Sequence, residues 1–133
     1  MLYLLDTDTC AFIARRKHPK VTSRFRSHRA GDLAMSVVTY GELRVGAEKS
    51  DRYPATLNAL EVFTQIVPVV PMEIEVARFY SQIRLDLEQR GQIIGANDLW
   101  IASHCLQLGL TLVTNNEREF SRIPNLTIEN WTH

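Results

Sequence analysis

Four short apolar runs in this chain each lie close to an acidic residue, and this arrangement restricts the possible folds. The runs and their acids are residues 2–5 before Asp6, 35–38 before Glu42, 99–102 after Asp98, and 110–113 before Glu119. An apolar run that stops at a carboxylate indicates a buried strand that ends in a polar site. Open parallel sheets bind ligands beyond the carboxyl ends of their strands. We therefore expect the four carboxylates to gather at one edge of a parallel sheet.

Carboxylates gathered in this way repel one another unless a positive charge lies among them. The positive group that best suits oxygen ligands is a hard divalent cation such as Mg²⁺ or Mn²⁺. A bound ion of this kind lowers the pKa of water and stabilises charge on a phosphoryl group. The pattern therefore favours metal-assisted cleavage of a phosphate ester.

Strand-like and helix-like stretches alternate along the 133 residues, which predicts an α/β fold in a single domain, 1–133. Strands are predicted at residues 2–5, 33–36, 66–70 and 110–114, with a fifth on an edge at 126–128. Helices are predicted from residue 9 to a break at 18–19, from there to 29, and over 39–49, 54–65, 73–89 and 98–108. This order implies a mostly parallel sheet with helices on both faces.

Helix capping offers a structural explanation for some of the acids. Thr7 or Asp8 is predicted to cap the first helix, which leaves Asp6 for another role. Thr39 and Glu42 have capping-box spacing, and in that role Glu42 would bond only the Thr39 backbone N–H. For Glu42, capping and function remain equal alternatives.

Asp98 and Glu119 differ in how well local structure explains them. Asp98 begins an apolar helix, where the helix dipole favours an anion by about 0.3–1 kcal/mol. Asn97 could cap that helix, however, and this would free Asp98. Turn formation explains Asn115 and Asn116, but it does not explain Glu119 beside an aromatic residue.

The charge distribution suggests a second functional feature. The formal net charge is zero, which argues against a general nucleic-acid binder. Residues 15–29 nevertheless contain no acid and seven basic residues: Arg15, Arg16, Lys17, Lys20, Arg24, Arg26 and Arg29. Such a stretch near an acidic centre suits an enzyme that holds a polyanion. The simpler alternative is a solvated helix face.

Other residue types exclude several classes of protein. Cys10 and Cys105 lack metal-ligand spacing, and we expect both to be buried free thiols in a reducing compartment. No zinc pattern, phosphate-binding glycine loop or Ser/His/Asp signature is present. Three histidines are expected at the surface and His104 on the helix after Asp98. No run approaches a membrane span or a signal-peptide core, so we expect a cytoplasmic protein.

Four blocks of the sequence together suggest a family. They are Leu4-Leu5-Asp6-Thr7-Asp8, Ser36-Val37-Val38-Thr39-Tyr40-Gly41-Glu42-Leu43, Ile94-Gly95-Ala96-Asn97-Asp98-Leu99-Trp100-Ile101-Ala102, and Leu112-Val113-Thr114-Asn115-Asn116-Glu117-Arg118-Glu119-Phe120. In this order and at these separations, they resemble the blocks of PIN-domain ribonucleases. The resemblance is stronger still to the VapC-type toxins of toxin–antitoxin pairs, and it extends to the closing Asn130-Trp131.

The resemblance implies a three-layer α/β/α sandwich with a parallel sheet of four or five strands. It also implies that four acids act as catalytic residues and as ligands of Mg²⁺, for which Mn²⁺ could substitute: Asp6, Glu42, Asp98 and Glu119. Supporting roles fall to Asn116, Thr7 and Asp8. The family often has Asn or Ser where this chain has Asp8, and its fourth acid varies in type and place. Five basic residues are expected to hold RNA: Arg15, Arg16, Lys17, Lys20 and Arg24.

The function implied by the resemblance is that of a metal-dependent endoribonuclease toxin that inhibits translation. The residues of the third and fourth blocks resemble those of the subgroup that cuts initiator tRNA in its anticodon stem-loop. A small VapB-type antitoxin is the implied partner, and its C-terminal segment would lie across the acidic groove. An arginine of that segment could take the place of the metal. A homodimer is also implied.

Two alternative functions are also compatible with the sequence. Asp6-Thr7-Asp8 after an apolar strand resembles the start of haloacid-dehalogenase-type phosphatases, in which the first Asp is a nucleophile. That class has Thr or Val where Cys10 stands and a later lysine, whereas the lysines here are all early: Lys17, Lys20 and Lys49. The second alternative is a non-catalytic PIN-like module whose acids serve only a partner.

Overall fold

Five parallel strands form one sheet in the computed structural model, which describes all 133 residues. The strands are β1 (Tyr3–Leu5), β2 (Leu33–Ser36), β3 (Val69–Val70), β4 (Thr111–Val113) and β5 (Ile128–Glu129), in the order β3-β2-β1-β4-β5. All four strand pairs are parallel. Tyr3 of β1 is in register with Leu33 of β2 and Thr111 of β4. The predicted parallel sheet is confirmed, with five strands.

Seven helices connect and cover these strands. They are α1 (Thr7–Arg15), α2 (Pro19–Arg26), α3 (Val37–Glu48), α4 (Tyr53–Ile66), α5 (Val76–Gln89), α6 (Ala96–Leu108) and α7 (Glu117–Phe120), with a 3₁₀ turn at Ala30–Asp32. None of the helices combines the length and the apolar character that crossing a membrane requires.

The central strand β1 divides the core into two layers. Leu4 and Leu5 are both fully buried but belong to different hydrophobic clusters, because successive side chains of a strand point to opposite faces. The Leu4 cluster includes residues of α5 and α6, such as Ile83 and Ile101. The Leu5 cluster includes residues of α1, α2 and α4, such as Ile13 and Phe63. The α/β/α sandwich is therefore confirmed.

Two helix starts differ from the predicted caps. Asp6 itself caps α1, and its Oδ1 accepts a hydrogen bond from the Thr9 backbone N–H at 2.9 Å. Ser36 caps α3 and accepts from the Val38 N–H at 3.1 Å. The predicted caps at Thr7 or Asp8 and the capping box of Thr39 were therefore wrong. In both cases the strand passes directly into the helix, so the cap is the residue that follows or ends the strand.

Other boundaries shift for similar local reasons. Gly95 precedes α6 as its N-cap and makes no side-chain bond, so Asn97 does not cap this helix. The basic helix α2 ends at Arg26, three residues before the predicted end. The short helix α7 was not predicted, and Asn116 caps it.

The cysteines and histidines also differ in how well the sequence predicted them. Cys10 and Cys105 are buried free thiols, as expected, and burial raises the pKa of both. His104 lies on α6, as expected. His18 and His28 are half-buried rather than exposed, because His28 stacks on the Trp131 ring and His18 lies near another aromatic ring.

The double role of Asp6, as strand end and helix cap, allows its charge to be removed without loss of the cap. Asn caps helices as well as Asp does, so we expect Asp6→Asn to be at least as stable as the parent at neutral pH. Asp6→Ala should be less stable than Asp6→Asn by about 1 kcal/mol, the usual value of a cap. Urea unfolding of the two variants tests this, and equal stabilities would show that the cap contributes nothing.

Candidate active site

Four acidic side chains from four separate elements meet beyond the carboxyl ends of β1, β2 and β4. Asp6 directly follows β1, and Glu42 lies on α3, which begins where β2 ends. Asp98 lies in the first turn of α6, and Glu119 lies on α7 after β4. The charges of Glu119, Asp6 and Glu42 all act on the carboxyl group of Asp98. The structure therefore brings together all four acids that the sequence singled out.

Asp6 lies at the bottom of this cluster and is 5% exposed. Burial is the main cause that raises its pKa, because a charge is disfavoured away from water. Hydrogen bonds from Thr114 and Thr9 act in the opposite direction, and the nearby charge of Asp8 raises the pKa slightly further. The carboxylate is thus held in place by neutral donors alone.

Asp98 has a strongly raised pKa. Burial, a hydrogen bond with Glu119 and the charges of its three acidic neighbours raise its pKa from 3.8 to about 7. Each of these causes disfavours the ionised form. Groups with pKa values shifted in this way are concentrated at functional sites, and here burial is the largest cause of the shift, with the nearby like charges adding to it.

Glu119 is oriented by the residue that caps its helix. The Asn116 side-chain amide donates to Glu119 Oε2 at 2.5 Å. The Asn116 Oδ1 accepts from the Glu119 backbone N–H at 3.4 Å, and the Asn116 N–H donates to the Thr114 hydroxyl at 2.9 Å. Asn116 therefore fixes α7 and the Glu119 carboxylate at the same time.

Glu42 is held by two neutral donors from neighbouring helices. The Thr7 hydroxyl donates to its Oε1 at 2.5 Å, and the Asn97 amide donates to its Oε2 at 3.3 Å. Thr7 also contacts the buried Thr39 hydroxyl, at 3.3 Å. These bonds join α1, α3 and α6 around one carboxylate, and they hold Glu42 beside the other acids rather than in a capping box.

Asp8 lies at the rim of the site. It is exposed in the first turn of α1 and makes no side-chain hydrogen bond or ion pair. It lines the same groove as Thr7 and Glu42. Its charge reaches Asp6, so it adds to the negative potential of the groove.

Three contacting residues were not assigned a site role from the sequence: Thr39, Asn97 and Thr114. Thr114 follows β4 directly. The pattern that indicated Asp6, a polar residue after a buried strand, therefore also indicates Thr114. Asn97 precedes Asp98, and the sequence indicates only a capping role for it at the start of α6. Thr39 shows no sequence signal, because its contact with Thr7 depends on how α1 packs on α3.

A buried hydrogen bond fixes the helix of Asp98 relative to that of Glu42. The His104 Nδ1 on α6 lies 2.8 Å from the hydroxyl of Ser36, the cap of α3. Both side chains are fully buried. Burial is the main cause that lowers the pKa of His104, which keeps the ring neutral. We assign this pair a positioning role.

No basic side chain of the protein compensates the four acids. None of the six ion pairs in the structure includes any of them. Their oxygen-only donor set is the one that hard divalent cations favour. No three histidine, cysteine or acidic side chains are already spaced to hold a metal ion. Glu42 and Glu119 instead accept hydrogen bonds from hydroxyl and amide partners.

The basic segment divides into residues beside the site and residues away from it. Arg15 and Arg16 line a groove of about 770 Å³ that also borders Thr7, Asp8 and Glu42. Arg24 instead pairs with Glu129 at 2.9 Å and lies over the Trp131 ring. Lys17 and Lys20 are exposed and lie outside this groove.

Comparison with known proteins agrees with this geometry. The family model of the PIN domain matches residues 3–126. Ribonuclease VapC2 of Rickettsia felis is 38% identical over 135 residues, which cover 98% of each chain. The tRNA(fMet)-specific endonuclease VapC of Shigella flexneri is 37% identical over 130 residues, with the same coverage. The crystal structure of DNA-bound VapBC from Salmonella typhimurium contains a chain that matches with a TM-score of 0.92 at 38% identity, over 98% of this chain and 99% of that one.

The fold is a parallel sheet with an acidic cluster beyond its carboxyl edge. The match to the known proteins covers nearly the whole chain. The chain belongs to the VapC ribonucleases of the PIN-domain family.

The repulsion at Asp98 should appear as a pH-dependent cost in stability. The raised pKa means that the folded protein binds this proton more tightly than the unfolded chain does, so stability is lost as pH rises from about 4 towards 7. In EDTA at pH 8, we expect Asp98→Asn to be more stable than the parent by about 1 kcal/mol, a value reduced because Asp98 is only half-buried. The difference should disappear near pH 4.

Thermal unfolding at the two pH values measures this effect. An Asp51→Asn variant, which changes an exposed acid without side-chain partners, serves as the matched control. A destabilised Asp98→Asn variant at pH 8 would show that burial and the neighbouring acids do not disfavour the charge of Asp98.

Proposed function

We propose that this chain is the toxin of a type II toxin–antitoxin pair and cuts RNA with a divalent metal ion held at the acidic edge of its sheet. The observation that carries this proposal is the convergence of four carboxylates, from four elements, with no basic side chain among them. Such a cluster has a clear purpose in an enzyme that acts on a phosphodiester, because the cation that relieves the repulsion also stabilises the reacting phosphate.

The proposed roles of the acids follow from their surroundings. Asp6 and Asp98 would hold Mg²⁺, for which Mn²⁺ could substitute, and Glu42 and Glu119 would complete the site, partly through water. When bound, the ion supplies an activated water and neutralises charge on the phosphoryl oxygens. Asp6 is suited to a fixed ligand because the cap bond to Thr9 prevents its rotation.

The attacking water must also lose a proton to one of the other acids. Glu119 lies near enough to Asp98 to raise its pKa, and Asn116 orients the Glu119 carboxylate, so we assign Glu119 the proton of the attacking water. Attack by water on phosphorus and departure of the 3′ oxygen would leave a 3′-hydroxyl and a 5′-phosphate. The 2′-hydroxyl of the RNA is not consumed in this scheme.

We infer that the substrate is tRNA, and specifically the anticodon stem-loop of initiator tRNA. The support is the relative from Shigella flexneri, which is named a tRNA(fMet)-specific endonuclease and is 37% identical over 98% of this chain.

The proposed partner is a VapB-type antitoxin whose C-terminal segment covers the acidic groove. Solved relatives of this fold include the VapBC complexes from Rickettsia felis and Salmonella typhimurium. An arginine from the partner could pair with carboxylates that have no basic partner in this chain, in place of the metal. We also propose a homodimer and a cytoplasmic location.

Cleavage of total tRNA by the purified chain tests the proposal. The reactions contain Mg²⁺ or Mn²⁺ or EDTA, and the parent is compared with Asp6→Asn, Asp98→Asn and the control Asp51→Asn. We expect discrete fragments that require metal, a loss of at least about a hundredfold in the first two variants, and no loss in the control. Mapping of the fragment ends identifies the RNA and the cleaved bond.

Two outcomes would contradict the proposal. Fragments that persist in EDTA would exclude the metal mechanism. An antitoxin-free parent that binds metal but cuts no RNA in a pool containing initiator tRNA would be a binding module rather than an enzyme.

A further inference from the structure

The groove beside the acidic site continues towards the basic segment. One part of its lining is Thr7, Asp8 and Glu42, and another part is Arg15, Arg16 and Arg26. Helix α1 connects the two parts, since it begins at Thr7 and ends at Arg15. At 1.5 Å per residue, Thr7 and Arg16 are about 13 Å apart along the helix axis.

A second cavity adjoins the basic part of this groove. It has a volume of about 410 Å³, and its lining contains no acidic residue: Arg16, Pro19, Thr22, Ser23 and Arg26. Arg16, Thr22 and Arg26 line both cavities. The two cavities are therefore continuous, with carboxylates at the end near the active site and arginines at the far end. Between these ends the larger groove is mainly apolar, since 11 of its 21 lining residues are hydrophobic.

The polar groups of the second cavity have no partners within the protein. Arg16 and Arg26 take part in none of the ion pairs, and the buried Thr22 hydroxyl makes no hydrogen bond. Arg24 differs, because Glu129 already neutralises it. Two unpaired guanidinium groups beside hydroxyl groups are the donors that suit a phosphate, which guanidinium can bind through two parallel hydrogen bonds.

The backbone at Arg16 gives independent support. Arg16 ends α1 in the left-handed conformation, with φ at 53°. Glycine is the usual residue at such helix ends, because a side chain costs about 1 kcal/mol there. Arginine at this position sacrifices local stability, and an anion bound by its guanidinium group would explain why.

We propose that Arg16 and Arg26, with the hydroxyl groups of Thr22 and Ser23, form a subsite for a backbone phosphate of the RNA substrate, at the end of α1 that lies away from the acidic site. This inference rests on the proposed function and deepens it. It adds Arg26 to the RNA-binding residues expected from the sequence. It removes Arg24, whose charge is used within the protein.

Affinity for bulk tRNA, measured at several salt concentrations, tests the subsite. The chain carries Asp98→Asn throughout, so that RNA is not cut. Arg16→Gln and Arg26→Gln should each weaken binding about tenfold and lower the slope of log affinity against log salt by about one. Two controls remove the same charge outside the cavities: Arg29→Gln in the basic segment and Arg78→Gln on α5. Each should change affinity less than about twofold.

An additional variant separates binding from folding. Arg16→Gly relieves the left-handed backbone, so it should be at least as stable as the parent in thermal unfolding. It should nevertheless lose as much tRNA affinity as Arg16→Gln. A parallel titration uses a peptide with the C-terminal sequence of the cognate antitoxin.

Several outcomes would overturn the subsite. Equal losses in the Arg29 or Arg78 variants would mean that diffuse charge, rather than a built site, attracts RNA. Unchanged tRNA affinity with lost peptide binding would assign the cavity to the antitoxin. If the parent cuts tRNA while both arginine variants bind it normally, the subsite fails and the proposed function stands. A parent that neither binds nor cuts tRNA would overturn both.

Discussion

Repulsion among the carboxylates of Asp6, Glu42, Asp98 and Glu119 is the interaction on which the organisation of the site depends. Parallel strands place every carboxyl end at the same edge, so polar residues that follow β1 and β4 meet the starts of α3 and α6 there. The fold therefore concentrates negative charge in one place, and burial makes that charge more costly. Burial first, and then the neighbouring acids, raise the pKa of Asp98 to about 7.

Neutral donors hold this charge in place without cancelling it. Thr7 and Asn97 bond Glu42, while Asn116 bonds Glu119, and the buried His104–Ser36 pair fixes α6 relative to α3. The arrangement is ordered but keeps its net charge, so it favours any cation that fits between the acids. In the function proposed above, a divalent ion and an arginine of the antitoxin compete for the same unmet charge. Inhibition and catalysis would then depend on one electrostatic feature.

The sequence predicted the strand ends and the four acids well, because apolar runs and the charges that end them are local features. It failed where two elements join without a linker. Asp6 and Ser36 are the N-caps because each strand passes straight into a helix. Helix α3 therefore begins before Thr39, and Glu42 forms no capping box. The pairing of Arg24 with Glu129 could not be predicted, since the two residues are 105 positions apart. The same limit applies to Thr39, whose contact depends on helix packing.

The central claim is that the four acids form a cation site through their shared charge. Calorimetric titration with Mn²⁺ tests this claim most directly. It needs no RNA and no antitoxin, so the result concerns this chain alone. The account predicts a Mn²⁺ site in the parent and in Asp51→Asn, and its loss in Asp6→Asn and Asp98→Asn, both of which remain folded. Equal Mn²⁺ binding by all four proteins, or none by the parent, would contradict it.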